Sequence, residues 1–240
     1  MSQETDPSIP NTEFKTLYKF GGAAAWVVAF LTVAEIIAFV IFPPPTTISE
    51  WFSLYQTNPL IGLVDFWGLE LPMYLMFVIV FLALYIVLRD MDRSWMLISL
   101  VFALIGITIF LATNNPFSMF TLSHQYSAAT TEAQRSALMA AGEALLANTN
   151  QRAVGGFNLG LFLVNITGLI VSIVMFKAPT FGKSIAYLGI LAWGLSLADY
   201  LRQAFTESVV IALFVIIPGA LLLVIWFIVL GRKLWRLGLS

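Results

Sequence analysis

Five ionisable residues lie inside or at the ends of long apolar stretches, and their chemistry requires an explanation. Glu35, Asp65, Glu70 and Asp199 are acids in such stretches, and Arg202 follows Asp199 about one turn later. An ionised side chain at the centre of a membrane helix costs about 2.5–3.5 kcal/mol, so it is expected to have a partner or a function. If these groups converge, they form a polar pocket that binds a cation, a proton or a polar head group.

Glu35 is the acid that the sequence places deepest, roughly two turns from the end of its apolar stretch. A buried carboxyl without a cationic partner favours its neutral form, and such a group suits proton coupling. The alternative is structural. Arg152 or Arg202 would form ion pairs with Glu35, Glu70 or Asp199 that only fix the helix register.

Asn158, Asn165 and Ser172 are spaced seven residues apart, which puts them on one face of a helix. Gly156 and Gly160 add the small-xxx-small spacing that lets two membrane helices approach closely. Two interpretations follow. The amides form a packing seam joined by hydrogen bonds, or they line the same polar pocket as the acids.

Several kinds of chemistry are excluded or disfavoured by composition. The chain has no Cys and one His, His124, whereas zinc sites use several His, Cys or carboxylate ligands. No phosphate-binding glycine loop and no G-x-S-x-G or H-E-x-x-H motif occurs. We therefore predict no metal, no cofactor and no catalytic residues. The net charge of −1 disfavours a nucleic-acid partner.

The elements that hold these residues are six apolar runs in a chain that is 60% hydrophobic and 10% charged. A membrane-spanning helix needs about 20 mostly apolar residues. The predicted spans are Phe20–Phe42, Ile61–Leu88, Trp95–Thr113, Val154–Phe176, Ile185–Leu201 and Val209–Leu230. Pro43–Pro45 end the first span. Pro72 predicts a kink in the second, unless residues 61–70 lie partly in the interface.

The connections alternate in charge, and this predicts the orientation. Nine of the twelve Lys and Arg residues lie before the first span, between spans two and three, between spans four and five, or after the sixth. Only Arg135, Arg152 and Arg202 lie on the other side. The positive-inside rule then places both termini in the cytoplasm of a multi-pass cell-membrane protein. Trp26, Trp51, Trp95 and Trp235 lie near span ends, as expected of an aromatic belt.

The segment Asn114–Arg152 is predicted to be a long outer loop between spans three and four. Thr131 and Gln134 have capping-box spacing and predict a short, weakly amphipathic helix over 131–147 that docks on the bundle. The predicted fold is an all-α membrane protein in one domain, residues 1–240. It has a polar tail at 1–19 and a six-helix transmembrane bundle.

The loop sequence LSHQYSAATTEAQRSALMAAGEALLA, residues 122–147, resembles the signature loop of a prokaryotic membrane-protein family. That family is known as domain of unknown function 4386. The resemblance implies a six-helix integral membrane protein and carries no established activity or site residues.

Three function classes fit these observations. The leading hypothesis is binding or transport of a small solute, ion or lipid through an outward-facing polar pocket around Glu35, Glu70 and Asp199. The alternatives are a non-catalytic helical subunit or scaffold of a larger membrane complex, and an intramembrane enzyme that modifies lipids. The expected partners are the lipid bilayer, one such ligand, and another membrane protein or a second copy of the chain.

Overall fold

A computed structural model describes residues 12–149, 158–203 and 209–240, and these residues are helical apart from short connections, without strands. A 3-10 turn (Thr12–Phe14) precedes the first helix, and a π-helical segment (Val64–Gly68) lies between the third and fourth. The α-helices are α1 (Lys15–Ile41), α2 (Ile48–Thr57), α3 (Pro59–Leu63), α4 (Glu70–Leu88), α5 (Arg93–Thr113), α6 (Pro116–Ala128), α7 (Glu132–Thr149), α8 (Leu159–Met175), α9 (Lys183–Gln203) and α10 (Val209–Leu237).

Five helical stretches are long and apolar enough to cross a membrane. They are Lys15–Ile41, Pro59–Leu88, Arg93–Ala128, Lys183–Arg202 and Phe214–Leu237. The remaining apolar helix, α8, has 17 residues and is shorter than these five. This length and composition identify a multi-pass helical membrane protein in contact with the lipid bilayer.

Six helices pack as a ring in chain order: α1 on α4, α4 on α5, α5 on α8, α8 on α9, α9 on α10, and α10 back on α1. Aromatic side chains fill the centre. The ring of Phe77 on α4 lies 5.6 Å from that of Phe227 on α10 and 6.4 Å from that of Trp193 on α9, measured between centroids. Large apolar side chains such as Phe30 and Phe214 point outward and are exposed, as expected for a surface that faces lipid.

The start of α1 and the last residue, Ser240, lie at one end of the ring, which we call the terminal end. The Lys15 Nζ donates a hydrogen bond to the Ser240 backbone oxygen at 2.9 Å. At the same end the Arg89 guanidinium lies over the Phe14 ring, and Lys177 pairs with Asp92 at 2.7 Å. The start of α1, the α4–α5 turn, the α8–α9 turn and the chain end are therefore neighbours.

The opposite end is covered by α2, α3, α6 and α7, which we call the cap. Its own hydrophobic cluster is separate from the core of the ring and contains Ile48, Trp51, Phe52, Tyr55, Phe66, Met119 and Leu146. The Tyr55 hydroxyl donates to the Pro116 carbonyl, and the Ser123 hydroxyl donates to the Phe52 carbonyl. These bonds join α2 to α6, so the cap is a packed layer rather than a loose loop.

Capping boxes start two of the cap helices. Thr47 and Glu50 exchange reciprocal hydrogen bonds at the start of α2, and Thr131 and Gln134 do the same at the start of α7. Hydrogen bonds from the backbone N–H groups of Thr46 and Thr47 lower the pKa of Glu50. Helices α2 and α6 were not predicted from the sequence, and most of α3 was predicted to belong to the second span, because short apolar runs between spans do not differ from the ends of those spans.

The prediction that the second span kinks at Pro72 is wrong. Pro72 lies in the first turn of α4, where its missing N–H would have had no helical partner. The break comes earlier, in the π-helical segment, where Trp67 adopts a left-handed backbone (φ 63°). A non-glycine residue in that conformation stores strain, commonly about 1–3 kcal/mol.

Several other boundaries also differ from the predicted ones. α1 begins at Lys15, α9 at Lys183, and α10 runs to Leu237, because long basic side chains at helix ends can extend toward the interface while their backbone stays helical. Trp51 is fully buried inside the cap and does not belong to an aromatic belt. Residues 150–152 and 154–157 of the predicted loop and fourth span lie outside the described residues.

The α5–α8 contact depends on two glycines. A Cβ atom at Gly160 would lie 2.6 Å from the Gly106 carbonyl oxygen and 2.7 Å from the Phe110 backbone nitrogen. Neither backbone atom can move aside without shifting a helix. The close approach thus requires glycine, as in other small-residue membrane interfaces.

We predict that Gly160→Ala lowers the melting temperature of the detergent-solubilised protein by several degrees, since overpacking costs about 1–3 kcal/mol. Gly194→Ala on α9 is the matched control, because a Cβ atom there meets nothing within 4 Å. The control should leave stability unchanged or raise it slightly. Equal melting temperatures for the two variants would contradict the packing described here.

Candidate functional site

Two acids meet beneath the cap, Glu35 on α1 and Glu70 at the start of α4, and Asp65 in the π-helical segment lies close enough to interact electrostatically with Glu70. We call these three residues the acid cluster. Asp65 and Glu70 are 1% and 2% exposed, and Glu35 is half-buried. Burial of ionisable groups at this depth is costly unless their charge is compensated. The cluster is therefore the feature of the molecule that most needs a chemical explanation.

The packing of α1 on α4 brings Glu35 to Glu70. The Thr32 hydroxyl on α1 lies 3.5 Å from the Met73 sulfur on α4. Glu35 follows Thr32 by about one turn and Glu70 precedes Met73 by about one turn, so the two antiparallel helices place the carboxyl groups face to face.

Glu70 has acidic neighbours. Its carboxyl group interacts most strongly with that of Glu35 and more weakly with that of Asp65. Apart from its own backbone N–H, the groups that act on it among the described residues are these two acids. Two carboxyl groups in contact can share a proton, whereas two carboxylates in contact repel each other.

Aromatic rings form one wall of the acid cluster. Tyr74, one turn after Glu70, interacts electrostatically with both Glu70 and Glu35. Its ring stacks on Phe110 of α5 with centroids 3.7 Å apart, and Trp67 meets the same phenylalanine edge-on at 5.5 Å. This wall keeps the surroundings of the carboxyl groups apolar.

The cap closes over the cluster. Trp51 of α2 packs edge-on against Phe66 with centroids 5.1 Å apart, and Phe66 directly follows Asp65 in the π-helical segment. Asp65 also interacts electrostatically with Tyr55 of α2. The strained segment thus joins the cap to α4 at the residue next to the acids, and π-helical insertions of this kind are frequent at functional sites.

The predicted amide residues have a different role. Asn158 is the N-cap of α8, and its Oδ1 accepts hydrogen bonds from the backbone N–H groups of Gly160 and Leu161. Its Nδ2 donates to Thr113 Oγ1 at 2.8 Å and to Asn114 Oδ1 at 2.7 Å on the α5 side. The Tyr200 hydroxyl of α9 donates to the Asn158 carbonyl. These bonds join α5, α8 and α9.

Asn165 and Ser172 bond mainly within their own helix, to the carbonyls of Leu161 and Gly168. The Asn165 Oδ1 is buried and accepts no hydrogen bond from the described residues. The described contacts therefore support the packing-seam interpretation at Asn158, and for Asn165 and Ser172 both interpretations stay predictions.

Asp199 and Arg202 form an ion pair at 2.9 Å within the last turn of α9. Because both residues belong to one helix, this contact does not fix the register between helices. Arg152 lies outside the described residues. The predicted site residues therefore separate into the acid cluster, the Asn158 seam and this ion pair, with Tyr74 and Tyr200 close enough to interact between the first two.

Five residues that contact the predicted ones were not predicted from the sequence as part of a site: Tyr74, Tyr200, Thr113, Asn114 and Trp67. Tyr74 had a usable signal, since it lies four residues after Glu70 and so on the same helical face. The other four had none, because their roles depend on contacts between distant helices.

Metal chemistry receives no support from the described residues, since no three His, Cys, Asp or Glu side chains among them converge to hold an ion. His124 is exposed on α6 and packs edge-on against Phe120. A groove of about 630 Å³ on the cap, lined by residues of α6 and α7 such as Phe117 and Leu145, does not include the acids.

The fold and the acid cluster define the class: a multi-pass helical membrane protein with buried carboxyl groups. Residues 62–231 match the sequence profile of the family described as Domain of unknown function (DUF4386). The match covers more than half of the chain, so the protein belongs to this family, as its loop sequence indicated. It includes Asp65 and Glu70 but not Glu35. Neither the curated proteins nor the solved structures give a match.

We predict that Glu70→Gln makes the melting temperature less sensitive to alkaline pH. Ionisation of both Glu70 and Glu35 at alkaline pH would place two carboxylates in contact in an apolar environment, at a cost on the order of 2 kcal/mol. Glutamine keeps the size of the side chain and removes that ionisation. Thermal unfolding in detergent measures the difference, expected to be a few degrees.

The matched control is Glu132→Gln, which removes an acid from the exposed first turn of α7. This variant should follow the wild-type pH dependence. If Glu70→Gln and Glu132→Gln lose stability in parallel as the pH rises, ionisation at the contact between Glu70 and Glu35 is not the cause of that loss.

Proposed function

We propose that the protein is a six-span carrier of the cell membrane that exchanges protons for a small cation at the acid cluster. The observation that carries the proposal is the contact between the Glu35 and Glu70 carboxyl groups inside the membrane-spanning part of the chain. Ionisable groups placed there commonly belong to proton relays and ion pathways.

The exchange follows from charge compensation. Glu70 is almost fully buried, and the side chains that act on it among the described residues are acids. A proton shared between the two carboxyl groups reduces the repulsion, and a bound cation would do the same. Because either occupant neutralises the same charge, the two compete for one site, which is the basis of antiport.

The aromatic wall supports a cationic ligand. The face of an aromatic ring carries negative electrostatic potential and attracts cations, including organic ammonium ions, and the face of Tyr74 that does not stack on Phe110 could serve in this way. No compact three-ligand metal cage exists among the described acids. The arrangement therefore favours an exchangeable cation over a tightly held structural metal.

Access to the site requires a movement of the cap. Asp65 is almost fully buried below α2, and the cap is attached to α4 through α3 and the strained π-helical segment. A hinge at this segment would lift α2 from the acid cluster and open it toward the outer side. In the resulting cycle the described structure corresponds to a closed state.

The membrane topology is part of the same proposal. The six ring helices are the six spans, and α8 crosses with 17 residues, the lower limit for a transmembrane helix. Lys15 and Ser240 lie together at the terminal end, where nine of the twelve basic residues are found. The positive-inside rule then places this end in the cytoplasm and the cap outside.

Single-cysteine labelling tests the topology without background, since the chain has no cysteine. We predict that a membrane-impermeant maleimide labels Thr131→Cys on intact cells. Ser240→Cys should be labelled only after permeabilisation. Labelling of both positions on intact cells would contradict the assigned orientation, and so would labelling of Ser240→Cys alone.

Proteoliposomes that contain a pH-sensitive dye test the exchange. We predict that an inward gradient of Na⁺, K⁺ or an organic ammonium ion drives protons out of liposomes that contain the wild type, so that the internal pH rises. Glu70→Gln should reduce the rate at least tenfold, because it removes the group that binds both ions. Glu132→Gln is the control and should keep the wild-type rate.

Infrared difference spectra provide a second readout that needs no known substrate. The wild type should show the absorption of a protonated carboxyl group that disappears on alkalinisation and is absent in Glu70→Gln. A spectrum without this band, together with ion fluxes that Glu70→Gln leaves unchanged, would overturn the proposed exchange.

A further inference from the structure

A small polar cavity lies at the terminal end, between the end of α4 and the start of α5, far from the acid cluster. Its volume is about 230 Å³, and it is lined by Tyr85, Arg89, Asp90 and Arg93. The helices that form it end at the level where a bilayer has its head groups, so the cavity is positioned to meet the polar part of a lipid.

The cavity carries excess positive charge. Arg89 Nε lies 3.9 Å from Asp90 Oδ1, a long contact to a mostly exposed carboxylate. The nearby Asp92 is engaged elsewhere: it pairs with Lys177 at 2.7 Å and accepts a hydrogen bond from the Trp95 N–H. These hydrogen bonds lower the pKa of Asp92. Two guanidinium groups therefore oppose one carboxylate, that of Asp90.

Arg93 contributes a guanidinium that forms no ion pair with the described carboxylates. Arg89 is held in place from the other side, since its guanidinium lies over the Phe14 ring, 5.8 Å from the centroid. A guanidinium binds phosphate oxygens with two parallel hydrogen bonds, which a lysine ammonium cannot do.

A buried hydroxyl next to these groups also requires an acceptor. Tyr18 on α1 is 1% exposed, and its hydroxyl has no hydrogen-bond partner among the described residues. Arg89 and Asp90 are the charged groups that act on it. A buried polar atom without a partner commonly marks a place for an ordered water or a ligand.

The surface next to the cavity is apolar and faces lipid. Trp95, Leu97, Ile98 and Val101 on the first turns of α5 are all exposed. A molecule with its anionic group between the arginines could lay an acyl chain along this face. Tryptophan at such a position also favours the membrane interface.

We propose that this cavity binds the phosphate group of an anionic phospholipid, with the guanidinium groups of Arg89 and Arg93 on the phosphate oxygens. The acyl chains then lie along the exposed face of α5, and Asp90 limits the affinity by repulsion. This proposal is independent of the exchange at the acid cluster.

Native mass spectrometry of the full-length protein tests the site, with phosphatidylglycerol and phosphatidylcholine added at equal concentration. We expect phosphatidylglycerol to be retained preferentially. Arg93→Gln and Arg89→Gln should each lower its retention roughly fivefold, since a basic residue near an anionic lipid contributes about 1 kcal/mol. Arg93→Lys should restore part of the loss, and Asp90→Asn should raise retention above that of the wild type.

Lys183→Gln is the matched control, because it removes a basic residue from the same membrane face but outside the cavity. It should retain phosphatidylglycerol as the wild type does, and all variants should keep the wild-type melting temperature and elution volume. An equal loss of phosphatidylglycerol in Lys183→Gln would show that retention depends on the general positive charge of this membrane face. That result would overturn the proposed site. Displacement of the lipid by equimolar inorganic phosphate would instead assign the cavity to free phosphate.

Discussion

The organisation of this protein depends on the cost of placing carboxyl groups in an apolar environment. Glu70 is buried against Glu35 with Asp65 close by, and an aromatic wall separates the three from the rest of the ring. The cap covers this acid cluster, the strained π-helical segment contains Asp65, and the α1–α4 contact brings Glu35 against Glu70. A structure that served packing alone would gain stability by replacing the acids with apolar residues of similar size. Their presence is the basis of the exchange proposed above.

The two ends of the ring are chemically different, and this difference organises the rest of the molecule. The terminal end contains charged contacts that join distant segments, namely Lys15 with Ser240 and Lys177 with Asp92. The cap end is joined by aromatic packing and by hydrogen bonds between neutral groups. Neutral contacts of this kind separate at lower electrostatic cost than ion pairs, and the cap movement proposed above would use this difference. The lipid site proposed at the terminal end would hold that end in the membrane while the cap moves.

Between the two ends, the helices are joined by contacts that need small residues or amides. Gly106 and Gly160 let α5 and α8 approach to backbone contact, and Asn158 then reaches Thr113 and Asn114 across the same interface. Lipid offers little hydrophobic force between membrane helices, so close packing and hydrogen bonds must supply the association. Asn158 meets this requirement at the end of α5, the helix whose Phe110 stacks on Tyr74.

The sequence by itself determined that the protein is helical and lies in a membrane, because hydrocarbon-length apolar runs have no other stable structure in lipid. It also identified the family through the loop at residues 122–147, and it singled out Glu35, Asp65 and Glu70, since charge in an apolar run is visible without coordinates. Only the tertiary structure decided that Glu35 meets Glu70 with Asp65 nearby, whereas Asp199 pairs with Arg202 inside one helix and Asn158 caps another. It also moved the break in the second span from Pro72 to the π-helical segment at Trp67. The physical reason is that polarity and length are properties of each segment, while proximity and backbone strain arise only when segments distant in the chain pack together.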